Sequence, residues 1–499
     1  MASPYDTYTS PLATRNASPG MLHLWSARHK FNTWRKIWLA VAEAQHEMGL
    51  PVTRDQVEAL RAVVSRPGGI TDEELKAAET YERELRHDVM AHVHALGDSC
   101  PKARGIIHLG MTSQDVVCNA DAIIIDSAIE IVVTKAARLV LSLGDQARRH
   151  RALPALGYTH YQPAQPVTVG RRCAGWAYET LLASRTIQDA WARSAFRGFK
   201  GATGTQASFL SLLNADGAAV DRFEALALSR LYGRDCSGMT HVLTGQTYPR
   251  VTDAVLLGGL AAVACVLHKI ATDIRLLCNR KELDEPFEDK QIGSSAMPYK
   301  RNPMRCERIC GLTRFVMNLV GNAYDTAATQ WLERTLDDSS NRRLSLPEAF
   351  LALDGALDLM HNVASGLIVH EAMVRKNLMA ELPFMATENI LMACVKLGGD
   401  RQEYHEHIRR HAQAAGLRVK QEGLDNDLLD RLKGDRAFWA KARGGPLSAE
   451  LDWDGVMDPM KYIGRSAEQT ERFVRDVVEP LRDQHRHGLA SLDDAGPRV

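Results

Sequence analysis

The sequence predicts an all-α protein whose centre is a bundle of long helices, on three observations. Five segments, 119–148, 169–196, 253–280, 308–332 and 347–367, each run about 20 to 30 residues with few breakers, and several are apolar nearly all the way round. Period-two alternation of apolar and polar residues, the mark of a strand, is rare. The stretches between the long segments are short, polar and rich in Gly and Pro, as helix connectors are.

Taken in order, these features divide the chain into three helical domains. Residues 1–111 read as an N-terminal helical domain, 112–368 as the central long-helix bundle, and 369–499 as a smaller C-terminal helical domain. Helices that long and that apolar must pack against one another and against further subunits. No internal repeat is visible, and the first ten residues and the tail from about His487 have the composition of disordered ends.

Charge and cysteine content narrow the function classes. Lys+Arg 61 balances Asp+Glu 61, so no bulk positive field exists to hold nucleic acid or an anionic membrane, and an anionic ligand must be met by a local arginine cluster. The nine cysteines are odd in number, scattered and without a Cys-x-x-Cys pair, which fits reduced thiols in a cytoplasmic protein. Cys306 and Cys310 would share a helix face, but two ligands make no zinc site. The start, MASPYDTYTS, lacks the basic and apolar regions of a signal peptide. The longest apolar run, 255–267, is shorter than the roughly 20 residues of a membrane span.

Polar inserts rich in catalytic residue types separate the helices. Arg86-His87-Asp88 opens the run RHDVMAHVH, and GMTSQD places Thr112 and Ser113 at a turn and helix cap before the first bundle helix. GYTHYQPAQP puts Thr159 and His160 in a turn just ahead of a helix start marked by prolines. GATGTQ, TGQTY with Gln246, and RTLDDSSNRR with Arg334, Ser339, Arg342 and Arg343 follow. Each has an ordinary explanation alone: a histidine satisfying a turn, a serine capping a helix, an Arg-Arg pair on a solvated face. Six such inserts in one helical protein are not what ordinary connectors predict.

The stretch GSSAMPYKRNPMR, 293–305, is the most informative. It packs a Gly-Ser-Ser turn, two prolines, a lysine, an asparagine and two arginines between helical regions. Its spare backbone N–H groups, hydroxyls and fixed cations suit a site where a carboxylate gains negative charge during reaction.

At these residues the chain resembles a known family. GSSAMPYKRNP is similar to the GSSxMPxKxNP signature of the fumarase/aspartase superfamily, and RHDVMAHVH, GYTHYQPAQP, KGATGTQASFL, LTGQTYPR, WLERTLDDSSNRR and ELPFMATENI resemble its adenylosuccinate lyase branch. The resemblance runs from about Tyr5 to about Leu481. It implies an all-helical homotetramer with a 20-helix core, active sites shared between subunits, small-molecule nucleotide substrates, and β-elimination of fumarate without metal or organic cofactor. It implies Ser294 as base, His160 as acid, and Lys300 and Asn302 as stabilisers of the charged carboxylate, with His87 beside them. Arg15, Asn16, Arg86, Asp88, Thr112, Ser113, Thr159, Gln246, Arg308, Arg334, Ser339 and Arg343 fall on positions implied to bind substrate. One departure is Arg15-Asn16, where the family has Arg-Tyr. A paralogue of the same fold acting on another N-succinyl compound, and a non-catalytic helical scaffold of the crystallin kind, are the competing readings. A fumarate-release assay separates the scaffold from the enzymes.

Overall fold

A computed structural model describes residues 6–192, 196–439 and 451–492. The N-terminal part runs from a π-turn at Leu12–Asn16 through α1 (Pro19–Leu24), α2 (Ala27–Glu47), α3 (Arg54–Val64), α4 (Asp72–Leu85) and α5 (Asp88–Ser99). Local sequence sets the helix starts: Ser18 and Ser26 cap α1 and α2, and Thr53 with Gln56 and Thr71 with Glu74 form capping boxes on α3 and α4.

The centre is a ring of five long helices. They are α6 (Ser113–Arg149), α7 (Val169–Ala192), α10 (Val251–Asn279), α11 (Met304–Ala328) and α12 (Asp337–Ser365), with α8 (Ala207–Leu212) and α9 (Gly217–Tyr232) inserted after α7. Each long helix packs on the next in the order α6, α7, α10, α11, α12, and α12 returns to α6. Their apolar faces, among them Val132, Leu139, Trp176, Leu260, Leu267, Ile309, Leu353 and Leu357, form one buried core. Alone among the described helices, α10 is long and apolar enough to cross a membrane, yet it is a member of this ring, packed against α7, α11 and α12.

Structure and sequence expectation differ at three places. The last long helix starts ten residues before Pro347, because Asp338 and Arg342 are fixed by buried ion pairs that carry the helix through the proline. The GYTHYQPAQP insert is a β-hairpin, β1 (Pro154–Thr159) antiparallel to β2 (Gln162–Thr168), so Pro163 and Pro166 lie in a strand of a two-stranded ladder, not in a first helical turn. A second short pair, β3 (Leu283–Asp284) with β4 (Ile368–Val369), ties the end of α10 to the end of α12. The segment from His487, expected to be disordered, is helical to Ser491 and lies on α6, where Gly488 faces Thr134.

Two further cores flank the ring. Trp34, Trp38, Leu60, Leu96 and Val116 pack with Phe199, Phe209 and Phe223, joining the N-terminal helices to the start of α6 and to α8 and α9. Beyond β4, α13 (Glu371–Met385), α14 (Thr387–Lys396), α15 (Arg401–Leu417), α16 (Leu428–Gly434), α17 (Arg436–Trp439) and α18 (Trp453–Val456) build around Ile390, Tyr404, Ile408, Leu428 and Phe438. The chain then turns back through α19 (Ser466–Phe473), α20 (Glu479–Gln484) and α21 (Arg486–Ser491), and Val478 fills the space over Gly144 of α6. All nine cysteines are thiols.

Inside the ring, α6 and α12 are joined by charge. Lys135 bonds Asp354 and, at 2.7 Å, Asp358, which also accepts from Arg138 at 2.6 Å. Asp354 takes the backbone N–H of Ser18 at 2.6 Å, so the same carboxylate docks the N-terminal segment. Lys135 is 5% exposed and Asp354 fully buried, so losing the cation strands the Asp354 carboxylate in low dielectric while Asp358 keeps Arg138. Lys135→Ala is expected to cost about 3–5 kcal/mol in urea unfolding, whereas truncating the exposed Arg54, which pairs with Glu58, should leave the urea midpoint nearly unchanged.

Candidate active site

The signature loop lies between β3 and α11 and is closed at its base. Glu285 accepts the backbone N–H of Arg305 with both oxygens, at 2.8 and 2.9 Å, and caps the start of α11. Arg305 is buried and its guanidinium reaches back to the Pro286 carbonyl at 2.6 Å and to Glu288 at 2.7 Å. Higher up, the Asn302 amide donates to the Gly293 carbonyl at 2.9 Å. A Cβ on Gly293 would stand 2.0 Å from the Lys300 carbonyl, so only glycine lets the two sides of the loop meet there.

That closure sets the environment of Ser294. Its Oγ accepts from the backbone N–H groups of Ala296, at 3.3 Å, and Met297, at 3.1 Å. Two amides aimed at one hydroxyl oxygen favour negative charge on it. The Lys300 side chain is exposed and, among the described residues, has no side-chain partner, while Asn302 is spent on holding the loop. Near the first turn of α11, burial first, then the charges of Arg15 and Arg305, lowers the pKa of Arg308. Arg15 and Arg308 thus form a cationic patch beside the loop. Asn16 bonds the Pro11 carbonyl at 2.9 Å, closing its own turn, and its backbone lies against Gly355 of α12.

A second group gathers around the start of α12. Asp338 accepts from Arg334 at 3.0 Å and from Arg250 at 2.6 Å, and Arg334 also donates to the Gln246 side chain at 2.9 Å. Arg342 is wholly committed inside the protein, to Asp253 at 2.6 Å, Asp121 at 3.0 Å and the Tyr248 hydroxyl. It is therefore structural, not part of a solvated face. Its neighbour Arg343 is exposed and reaches Asp88 at 2.6 Å. Burial alone would raise the Asp88 carboxyl, but Arg343 and the Val89 amide hold it below its ordinary range. Ser339 sits in the first turn of α12, its N–H on the Leu336 carbonyl.

His87 and Ser113 meet in this second group. Arg86 ends α4 in the left-handed conformation, φ 54°, which turns the chain so that His87 can cap α5. His87 Nδ1 accepts the Met90 N–H at 3.3 Å, so in the neutral ring the proton sits on Nε2, which points to Ser113 Oγ at 3.4 Å. Thr112 forms a capping box with Asp115, whose Oδ2 takes the Thr112 N–H at 2.7 Å. Asp115 Oδ1 accepts from Lys200 N at 2.9 Å, Gly201 N at 3.1 Å and the Arg197 guanidinium, which continues to the carbonyls of Gly201 and Gly245.

His160 stands apart. It and Tyr161 occupy the hairpin tip with φ 53° and 55°, the two left-handed residues of a type I′ turn, next to the Thr159–Gln162 pair. The Tyr158 and Tyr161 rings stack at 5.6 Å and brace the tip. Among the described residues the His160 ring has no side-chain partner, and the bonds of Ser294 stay within its own loop. A single chain therefore carries three separate pieces: the signature loop with Arg15 and Arg308, the His87–Ser113–Arg343 and Gln246–Arg334 group, and the His160 tip.

Sequence reasoning missed the residues that hold these pieces. Asp115 was legible as the fourth residue of a Thr-x-x-Asp capping box, but its bonds to 197–201 were not. Glu285 and Arg250 carry no local signal, because their partners lie 20 and 88 positions away, and the Arg334–Asp338 spacing does not reveal that Arg250 shares the same carboxylate.

The sequence model of a family described as lyase matches residues 14–318, and that of the adenylosuccinate lyase C-terminus matches 383–473. The chain is 48% identical over 479 residues to the adenylosuccinate lyase of Schizosaccharomyces pombe, covering 96% of each. It is 47% identical over 482 residues to that of Saccharomyces cerevisiae, again covering 96% of each. In three dimensions it superposes on a 3-carboxy-cis,cis-muconate lactonizing enzyme from Pseudomonas putida with a TM-score of 0.77, over 94% of this chain and 98% of that one. At 24% identity, that likeness speaks for the fold alone.

Glu285 gives the loop base a pH dependence. Burial pushes its carboxyl up to about 7, against the Arg305 and Cys306 amides and the Arg305 charge. A raised acid pKa stabilises the fold below the unfolded value of about 4.5, and that contribution fades as pH rises through about 7. From pH 6 to pH 8 the wild type should lose about 1 kcal/mol through this group. Glu285→Gln should remove that fall, read as the difference in urea unfolding at the two pH values; an identical pH slope in the variant would contradict it.

Proposed function

The chain belongs to the adenylosuccinate lyase family and is a carbon–nitrogen lyase, and on that premise we propose how its own residues carry the reaction. The substrates in this reading are adenylosuccinate, cleaved to AMP and fumarate, and succinylaminoimidazole carboxamide ribotide. The observation that carries it is the pair of amide N–H groups on Ser294 Oγ.

Releasing fumarate from an N-succinyl group is a β-elimination. Ser294, as alkoxide, removes a proton from the carbon next to a succinyl carboxylate, and the electron pair moves into that carboxylate. As the C–N bond breaks, the pair returns to form the fumarate double bond, and His160 gives a proton to the departing nitrogen. A serine hydroxyl is a weak base, so the two amides and the Lys300 ammonium must favour its anion; each well-placed donor of this kind is typically worth about 3–4 kcal/mol. Lys300 is placed to turn toward substrate because no side chain among the described residues holds it. Arg15 and Arg308 on one side, and Arg86, Arg334 and Arg343 on the other, supply the cations for one phosphate and two carboxylates, with His87, Thr112, Ser113 and Gln246 orienting the ligand. No step requires a metal or organic cofactor.

The separation of the three pieces is the reason to propose shared sites in a homotetramer. Exposed apolar residues stand along the ring helices, including Val251 and Val255 of α10, Tyr324 of α11 and Leu344 of α12, each at least half exposed in the lone chain. Covering them with neighbouring copies buries that surface and lets His160 of one subunit meet Ser294 of another. The division at 111/112 and 368/369 and a cytoplasmic location belong to the same reading. Asn16, turned onto Pro11, leaves more room than a tyrosine would and removes its ring and hydroxyl, which favours asking whether a related N-succinyl compound is the better substrate.

Ser294→Ala and His160→Ala should each lower turnover of adenylosuccinate by at least about a hundredfold with circular dichroism unchanged, since both side chains lie outside the cores. When the two inactive proteins are mixed and reassembled, random pairing leaves about a quarter of the sites with an intact copy of each loop. No recovery after confirmed subunit exchange would mean that sites are built within one chain. In parallel, adenylosuccinate should release fumarate while malate, aspartate and argininosuccinate do not.

A further inference from the structure

The C-terminal helices hold a cluster that neither the reaction nor the core packing requires. His407 and His411 are one turn apart on α15, so both rings leave the same face of the helix. Opposite them, in the turn between α16 and α17, Asp435 presents Oδ2 to both: 3.1 Å from His407 Nδ1 and 2.8 Å from His411 Nε2. The three side chains are 13%, 25% and 18% exposed, and their ligand atoms all lie within 4.8 Å of one another.

We propose that His407, His411 and Asp435 form a binding site for a divalent transition-metal ion of the zinc class. Donor atoms around one such ion stand about 3 Å apart, because each bond is about 2.0–2.2 Å long, and the two measured Asp–His separations already meet that spacing. Two imidazoles and a carboxylate suit zinc, cobalt and nickel better than calcium or magnesium. The ligand set is also oriented from behind. Asp435 Oδ1 takes the Phe438 N–H at 3.2 Å, and the His407 ring packs edge-on to Phe438 at 6.0 Å. Two arginines also stand at the cluster, Arg431 paired with Asp427 at 2.7 Å and Arg410 3.7 Å from Glu406, so the charge of each is met by a carboxylate other than Asp435. A cavity of about 540 Å³, lined by Arg410, Asp430, Arg431 and Gly434 as well as the three ligands, opens onto the cluster and leaves room for water in the remaining positions. The ion would replace the imidazole protons now facing Asp435 and clip α15 to the α16–α17 turn.

The test uses the full-length protein after chelator treatment, titrated calorimetrically with zinc chloride and, separately, with cobalt(II) followed by visible absorption. One equivalent per chain should bind, and the thermal midpoint should rise with zinc. His411→Ala and Asp435→Asn should each weaken that equivalent by at least about tenfold and abolish the thermal shift, with circular dichroism and lyase activity retained. Asp435→Asn keeps an acceptor for the imidazoles, so it guards against a fold defect in the alanine variant. No zinc equivalent in the wild type, or an equivalent of unchanged affinity in both variants, would show that the cluster is only a pair of histidine–aspartate hydrogen bonds.

Discussion

The Asp115 carboxylate is the constraint on which the second group of site residues depends. One oxygen caps α6 through the Thr112 N–H, and the other gathers Lys200 N, Gly201 N and the Arg197 guanidinium. Arg197 then reaches the Gly245 carbonyl, so the 112–115, 197–201 and 245–246 inserts meet at a single buried pair. Such a pair gains little net stability from burial, because desolvating both charges offsets most of their attraction. What it contributes is position: Ser113 and Gln246 are aimed by a group with no freedom to move.

The same logic recurs at α12. Its first turns carry the exposed Arg343, and Arg334 stands just before them; both are placed by the buried Arg342, Asp338 and Arg250 beneath them. The adjacent arginines illustrate the division of labour: Arg342 has three acidic or phenolic partners in the interior, while Arg343 has one, Asp88, which a ligand anion could replace. Deep in the ring, Lys135 with Asp354 and Asp358 fixes the register of α6 against α12, on which that row of arginines stands.

The apolar core and the residues proposed for the chemistry lie in different parts of this protein. The five-helix ring has a continuous apolar core, whereas Ser294 and His160 sit on loops that project from it. The loops are not loose. The signature loop is sealed by Asn302 on Gly293 and by Arg305 on 286–288, and the hairpin tip by its tight turn and stacked tyrosines. Each is a braced arm that holds its hydroxyl or imidazole outside the apolar core.

By itself the sequence determined the helical class, the long bundle helices and the inserts that bear the chemistry, because helical periodicity and turn chemistry are local properties read within a few residues. It also contained the signature loop in full, and with it the family. The hairpin around His160 was not legible: its prolines resemble a helix start, and only pairing of residues 154–159 with 162–168 makes them strand. Nor was the role of Arg342, whose neighbours Asp121 and Asp253 are 221 and 89 positions away. Tertiary structure decided these because a long side chain's partner is chosen by which helices pack together, and that is set by the apolar core, not by the residues next to it in the chain.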